Sequence, residues 1–253
     1  MNKVPVSVVI ITKNEEKNIE RCLKSVSFAE EVIVIDSGST DRTVEIVKAL
    51  GAKVFVEEWK GFGPQKQSGV EKAKNRWVLS IDADERIPEE TARVIAEVVK
   101  NPSSEVTAYS FCRKNIFRGR WIRGCGWWPD RVVRLFDKSA GHFEGEVHEK
   151  WVLEKGRVGH LSAVIEHYHR DFTNILQKVN TYSTISAREL YRRGIKPAWW
   201  KPFFHGGWRF FYSYVIKKGF LYGMDGFVIS LCNGLGRFFK YAKLWEITRA
   251  SQK

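Results

Sequence analysis

Val6-Ser7-Val8-Val9-Ile10-Ile11 runs straight into Thr12-Lys13-Asn14-Glu15, and this abrupt change from β-branched to polar residues sets the reading of the chain. A nearly continuous apolar run of that length is what a strand buried on both faces requires. The transition recurs twice. Residues 32–35 give way to Asp36-Ser37-Gly38-Ser39-Thr40-Asp41, and residues 77–81 to Asp82-Ala83-Asp84-Glu85. Helical patterns lie between. Asn14 is placed to cap a helix with Ile19, Cys22, Leu23 and Val26 on one stripe, and a second helix with Val44, Val47 and Leu50 inward stops at Gly51. Residues 53–56 read as a further strand, residues 65–74 as a helix behind Gly61, Gly63 and Pro64, and Pro88 opens a helix through residue 99. Strand and helix alternate, so the predicted class is α/β, with a mainly parallel sheet, right-handed crossovers and flanking helices. Ligands of such sheets bind at the carboxyl ends of the strands.

Past Asn101-Pro102 the pattern changes to strand-like stretches over residues 108–117 and 131–136, read as an antiparallel or mixed extension of the sheet that forms the acceptor side of a cleft. From Phe172 the chain reads as helical. The predicted division is residues 1–170, a catalytic domain, and residues 171–253, a helical extension.

Charge separates these halves further. The 253 residues carry a net charge of +13, yet residues 1–170 hold 28 basic and 25 acidic side chains against 14 and 4 in the remainder. The same last third holds 19 of the 34 aromatic residues, so the basicity and the rings coincide. A hydrophobic content of 43% lets the chain bury a core, so disorder is not the default reading. Cys22, Cys112, Cys125 and Cys232 form no C-x-x-C pair, which points away from a zinc ribbon and from a disulfide framework and towards a reducing, cytoplasmic setting. Residues 4–11 are a strand rather than a signal peptide. Residues 219–239 include Asp225, Asn233, Arg237 and five glycines, too interrupted for a membrane span. The combination predicts a protein lying on an anionic membrane surface, with rings at headgroup depth and cations against lipid phosphates. Nucleic acid is the competing anionic partner; it is set aside because no helix-turn-helix, RNP or zinc pattern appears.

The strand ends carry the chemistry. Side chains two apart on an extended backbone point the same way, so Asp82 and Asp84 project together into the ligand crevice, where two carboxylates suit Mg²⁺ or Mn²⁺ bound to a diphosphate. Asp36 is placed to accept a hydrogen bond from the imide N–H of uracil, with Ser37 beside it. Thr12, Asn14 and Glu15 close the first strand. Asp41 serves a helix cap or the ligand. Gln65 and Lys66 follow a glycine loop, where Lys66 meets a phosphate or is a solvated helical lysine. Arg131 and Arg134 are candidates for bidentate phosphate binding. His167, His169, Arg170 and Asp171 cluster without a clear third metal ligand in sequence and are read as structural or acceptor-side residues.

Taken together, Thr12-Lys13-Asn14-Glu15, the Asp36 to Asp41 segment and Asp82-Ala83-Asp84 resemble the family 2 glycosyltransferases of the GT-A fold. The Gly61 to Gln67 loop, the segment from Trp128-Pro129-Asp130 to Phe136, and the stretches Gly145-Glu146-Val147-His148-Glu149, Lys218-Gly219-Phe220-Leu221-Tyr222-Gly223 and Tyr241-Ala242-Lys243-Leu244-Trp245-Glu246 extend the likeness to the bacterial lipopolysaccharide-core β-glucosyltransferase branch. The resemblance implies a metal-dependent enzyme that transfers a hexose with inversion from a nucleotide diphosphate donor, UDP-glucose by expectation, to a lipid-linked saccharide. The implied location is the cytoplasmic face of the inner membrane. Transfer to a polyprenyl phosphate is the alternative within the same chemistry. An inverting transfer needs a carboxylate base within reach of the acceptor hydroxyl. The family places it in an acid pair, and the matching position here reads His148-Glu149, so the resemblance assigns the base to Glu149, with Glu144 and Glu146 as neighbouring rivals. His148 is then a metal ligand, a diphosphate donor or an orienter of Glu149. Tyr222 stands where the family motif carries an acid, with Asp225 nearby.

Overall fold

The computed structural model describes residues 3–145, 149–169 and 171–250. The chain forms two compact units: one runs to Lys114 and resumes over Asp130–Tyr168, and the other combines Asn115–Pro129 with the chain from His169 onward.

The first unit is built on β1 (Val4–Thr12), whose side chains are all buried except Pro5. It is flanked by β2 (Ala29–Asp36) and β4 (Trp77–Asp82), both parallel to it, and β3 (Lys53–Val56) adds to β2 in the same sense. The short β5 (Glu85–Arg86) follows β4. Helices α1 (Ile19–Ser25), α2 (Thr43–Ala49), α3 (Phe62–Lys72) and α4 (Glu89–Lys100) fill the intervals. The sheet continues through β6 (Val106–Phe117), β8 (Arg131–Asp137) and β11 (Arg157–His169), while β7 (Arg120–Trp121) pairs with the end of β6. The strand order is β3-β2-β1-β4-β8-β6-β11-β5, with β8 antiparallel to both β4 and β6. The predicted mixed, mainly parallel sheet is therefore present, with β8 beginning its antiparallel extension. A separate hairpin pairs β9 (Gly141–Glu144) with β10 (Lys150–Leu153).

Apolar side chains cover both sheet faces. Val6, Val8, Ile10, Leu79 and Ile81 pack with Ile19, Leu23 and Ile95 on one side; Val9, Ile33, Ile35 and Val78 pack with Val70, Phe136, Phe143 and Trp151 on the other. On the second face α3 lies almost on the strand: a Cβ at Gly69 would come within 2.3 Å of Val9 Cγ1. Phe136 stacks on Trp151 at 3.7 Å between centroids, and Phe143 meets both rings edge-on, which fixes the β9–β10 hairpin against the sheet.

Two local expectations are corrected. Asn14 does not cap α1: it adopts φ 54°, its Oδ1 accepts from the Thr40 amide at 2.8 Å, and its own amide donates to Ser39 Oγ. A turn closed by the Glu15 carbonyl leads into the helix instead. Leu50 is exposed, because α2 ends at Ala49 and Leu50 turns outward, while Thr43 and Val47 face the core.

The second unit has its own core of Phe117, Ile122, Cys125, Ile175, Ile229 and Cys232. It contains α5 (Phe172–Arg192), α6 (Lys201–Phe211), a π-helical turn over Tyr212–Ile216, a 3₁₀ turn over Gly219–Tyr222 and the 28-residue α7 (Gly223–Ala250). The expected division between residues 170 and 171 thus requires a correction. Residues 115–129 belong with the helical unit, since Ile122 and Cys125 are buried against α7 residues, and the Cys125 carbonyl accepts from Ser213 Oγ and Asn233 Nδ2. Among the described residues no helix is long and apolar enough to cross a membrane.

Candidate functional site

The register of the first unit aligns the polar strand ends. Thr12 pairs with Asp36 across β1 and β2, and Ile11 with Asp82 across β1 and β4, so Thr12, Asp36 and Asp82 stand in one row at the carboxyl edge. Asp36 is fully buried and accepts from the amides of Gly38 and Ser39 and from Ser39 Oγ, which gives the following loop its shape. Thr12 Oγ1, Ser37 Oγ and Gln65 Nε2 are buried polar atoms without a partner among the described residues. Native proteins seldom leave such atoms unsatisfied, so their presence along this edge fits a polar ligand. Asp41 accepts from the Glu16 amide and from the amide and hydroxyl of Thr43; burial works against its ionisation, but these bonds hold its carboxyl below the ordinary value. It joins the start of α2 to the β1–α1 loop. Glu15 lies in that loop, its amide donating to Thr43 Oγ1 and its carboxylate accepting from Asn18.

At the end of β4 the charges form a chain. Lys66, 1% exposed in α3, lies 2.9 Å from Asp82 Oδ1 and 2.8 Å from Glu149 Oε1. Arg134 Nη2 then contacts Asp82 Oδ2 at 2.5 Å and Glu85 Oε1 at 2.6 Å. Arg113 continues the series, 3.6 Å from Glu85 and 2.9 Å from Asp130. Burial opposes the ionisation of Asp82, but Arg134 and Lys66 outweigh it and hold its carboxyl well below the usual carboxylate range. Conversely, burial would lower the Arg134 guanidinium, and Asp82 and Glu85 raise it. Asp82 is thereby committed to two cations.

Asp84 has a different neighbour. The short β5 pairs antiparallel with β11, His167 opposite Glu85, and this brings His167 Nε2 to 3.3 Å from Asp84 Oδ2. A carboxylate and an imidazole in contact offer the mixed oxygen and nitrogen donors that Mn²⁺ accepts, and two protein ligands leave positions for diphosphate oxygens and water. Among the described residues no set of three His, Cys, Asp or Glu side chains converges on a metal; Asp84 and His167 are a pair whose donor chemistry could serve one shared with a substrate.

Glu149 is carried on the loop between β9 and β10. That loop is anchored by the Gly63 amide to the Gly145 carbonyl at 3.0 Å, and its preceding strand by the Phe143 amide to Gln67 Oε1 at 3.0 Å. Of the rival carboxylates, Glu144 is exposed and engaged with His142. Glu146 and His148 lie outside the described residues, as does Arg170. Arg131 does not join the cluster: it sits at the start of β8 with its guanidinium against Ser110 and the Leu161 carbonyl. Sequence reasoning missed Glu85, Arg113 and Asp130 as members of the charge chain and His167 as the partner of Asp84. Glu85 alone offered a signal, as the third acid of Asp82-Ala83-Asp84-Glu85.

Comparison with known proteins agrees with this architecture. The family model described as Glycosyl transferase family 2 matches residues 7–164. An uncharacterised glycosyltransferase of Rickettsia typhi is 33% identical over 259 residues, covering 98% of this chain and 89% of its own. The lipopolysaccharide core biosynthesis glycosyltransferase LpsC of Rhizobium meliloti is 27% identical over 258 residues, covering 96% and 93%. Among solved structures, the glucosyl-3-phosphoglycerate synthase of Mycobacterium tuberculosis, in complex with Mn²⁺, UDP and glucosyl-3-phosphoglycerate, superimposes with a TM-score of 0.51. It is 20% identical, and the match covers 77% of this chain and 82% of that one.

Proposed function

Because this chain belongs to glycosyl transferase family 2 and is a nucleotide-sugar-dependent glycosyltransferase of the GT-A fold, we propose that it transfers glucose from UDP-glucose, with inversion, to a lipid-anchored saccharide such as the inner core of lipopolysaccharide. The observation that carries the inverting chemistry is the Lys66 bridge, which sets the Glu149 carboxylate one ammonium away from Asp82 at the donor edge. The acceptor class is supported by the near full-length likeness to LpsC.

In this reading Thr12, Asp36, Ser37 and Gln65 receive the nucleotide at the sheet edge, with Asn14, Glu15 and Asp41 shaping its rim. Lys66 and Arg134 hold Asp82 ionised and fixed, which orients the sugar-diphosphate side of the crevice. Glu149 accepts the proton of the acceptor hydroxyl as that oxygen attacks the anomeric carbon from the face opposite the leaving nucleotide, a role worth about 10²- to 10⁴-fold in rate. His148 adjoins that base in sequence. Asp84 and His167 would hold a divalent cation, Mn²⁺ or Mg²⁺, which when bound neutralises charge developing on the departing diphosphate. Arg131 takes no part in donor binding. The balance of the first half and the +10 of the second support a peripheral enzyme on the cytoplasmic face of the inner membrane.

The test is transfer of radiolabel from UDP-glucose in the presence of membranes and Mn²⁺. Label is expected in the core saccharide; label appearing only in a polyprenyl-phosphate fraction would replace this acceptor with the alternative one.

A further inference from the structure

The helical unit holds a second concentration of charge that sugar transfer leaves unused. Within it α6 and α7 run antiparallel, Phe203 meeting Phe238 and Phe210 meeting Phe227, and the two helices touch at glycines. A Cβ on Gly206 would stand 3.0 Å from Phe238 Cβ, and one on Gly234 would stand 3.0 Å from the Gly206 carbonyl oxygen. Beside this contact α6 and α7 each present an arginine to a common cavity. These are Arg209 and Arg237, and with His205, Trp208, Tyr212 and Tyr241 they line a volume of about 380 Å³.

Among the described residues no carboxylate lines this cavity. The Arg209 guanidinium is lowered from its ordinary value by burial and then by Arg237. His205 is lowered by burial, then by Lys201, Arg237 and Lys240, and Lys240 by burial and then Arg237, with Glu189 as the opposing acid. The cations lining the cavity repel one another, and an anion bound between them relieves that repulsion. Tyr241 stacks on His205 at 4.4 Å and Arg209 lies over the Tyr212 ring, so flat faces and hydroxyls complete the lining. Two guanidiniums and tyrosine hydroxyls match the oxygens of a phosphate. Around α6 stand Trp199 and Phe203, 78% and 65% exposed, and Trp200, Phe204 and Trp208, also exposed. Such rings have little to gain from water and suit the boundary between headgroups and acyl chains.

We propose that the α6–α7 cavity is a discrete binding site for the phosphate of an anionic lipid headgroup, with Arg209 and Arg237 as its two ligands and the α6 rings inserted beside it. The inference rests on the reading of the chain as an enzyme of an anionic membrane surface, and it replaces a diffuse attraction with a stoichiometric site.

The test uses the full chain and vesicles of phosphatidylcholine with or without phosphatidylglycerol. Three variants are compared with the parent: Arg209→Gln/Arg237→Gln, Arg237→Glu alone, and Arg192→Ala/Lys196→Ala, which removes two exposed cations outside the cavity. Thermal midpoints identify any variant that fails to fold; Arg237 is exposed, so its reversal decides the matter if the double variant does not fold. Affinity for phosphatidylglycerol vesicles is expected to fall about tenfold more in the cavity variants than in the charge-matched control, since both lose the diffuse attraction of two cations but only the cavity variants lose charge-assisted hydrogen bonds to a bound phosphate. Equal losses in cavity and control variants would overturn the site while leaving the membrane-surface reading intact. Failure of the parent to bind phosphatidylglycerol vesicles would overturn both. Saturable binding of inorganic phosphate that the cavity variants abolish, with vesicle affinity unchanged, would assign the cavity to a soluble phosphorylated ligand and overturn the lipid.

Discussion

Lys66 is a fully buried cation whose two carboxylate partners belong to different parts of the proposed reaction. Glu149→Gln keeps the size of the side chain and removes its basicity, so turnover is expected to fall about 10²- to 10⁴-fold with nucleotide affinity nearly unchanged. Single-turnover transfer together with UDP titration checks this, and retained turnover would return the base to another acid. Asp84 and His167 make a separate expectation. Asp84→Asn and His167→Ala should each abolish the Mn²⁺-dependent rise in thermal midpoint on adding UDP, since a ligand of the folded state raises its apparent stability. An unchanged Mn²⁺ response in both variants would remove the pair from metal binding. At this scale the sequence was legible where chemistry follows locally from a strand end, as with Asp36, Asp82 and Asp84. It was not legible for His167, which reaches Asp84 only through the pairing of a two-residue strand with one some 80 positions later. Nor was it for Arg113, whose neighbours on β6 give no sign that it faces a buried acid.

Among the elements, α3 has the most exacting position. It brings Gln65 and Lys66 to the site and rests on β1 through Gly69, one turn beyond Lys66. Gly69→Ala is expected to destabilise the chain by about 1–3 kcal/mol through overpacking against Val9, and to lower turnover by shifting Lys66; a urea midpoint and the transfer assay measure the two effects. Glu57, just after β3, ties the other side of α3: it bonds Lys72, Ser68 and Lys60, chiefly Lys72, and its carboxyl is lowered from 4.5 to about 2. A depressed folded value contributes stability that is complete above pH 4.5 and is lost as pH falls towards 2. Glu57→Gln should therefore flatten the decline of stability across that window while leaving the slope at neutral pH unchanged, as read from denaturant midpoints against pH. The alternation of β1, β2 and β4 with helices was plain in the sequence, because buried parallel strands announce themselves as apolar runs. The entry into α1 was misread because Asn14, a good cap by type, is spent on the neighbouring loop.

For the whole molecule, the charge split along the chain was visible at once, whereas the true partition of the fold was not. Residues 115–129 carry no helical pattern, and only their packing with Ile175, Ile229 and Cys232 assigns them to the second unit. A chain ending at residue 170 would leave Phe117, Ile122 and Cys125 uncovered. It is expected to aggregate or to lose its cooperative thermal transition, and differential scanning calorimetry with size-exclusion chromatography checks this; a monomeric, cooperatively melting product would show that the segment is dispensable. The same interleaving bears on inheritance. A segment beginning at residue 171 would take most of the cations and rings with it but leave part of its own interior behind in the parent gene. The basic helical unit is for that reason no contiguous cassette that a single cut could lift out intact and append to another enzyme.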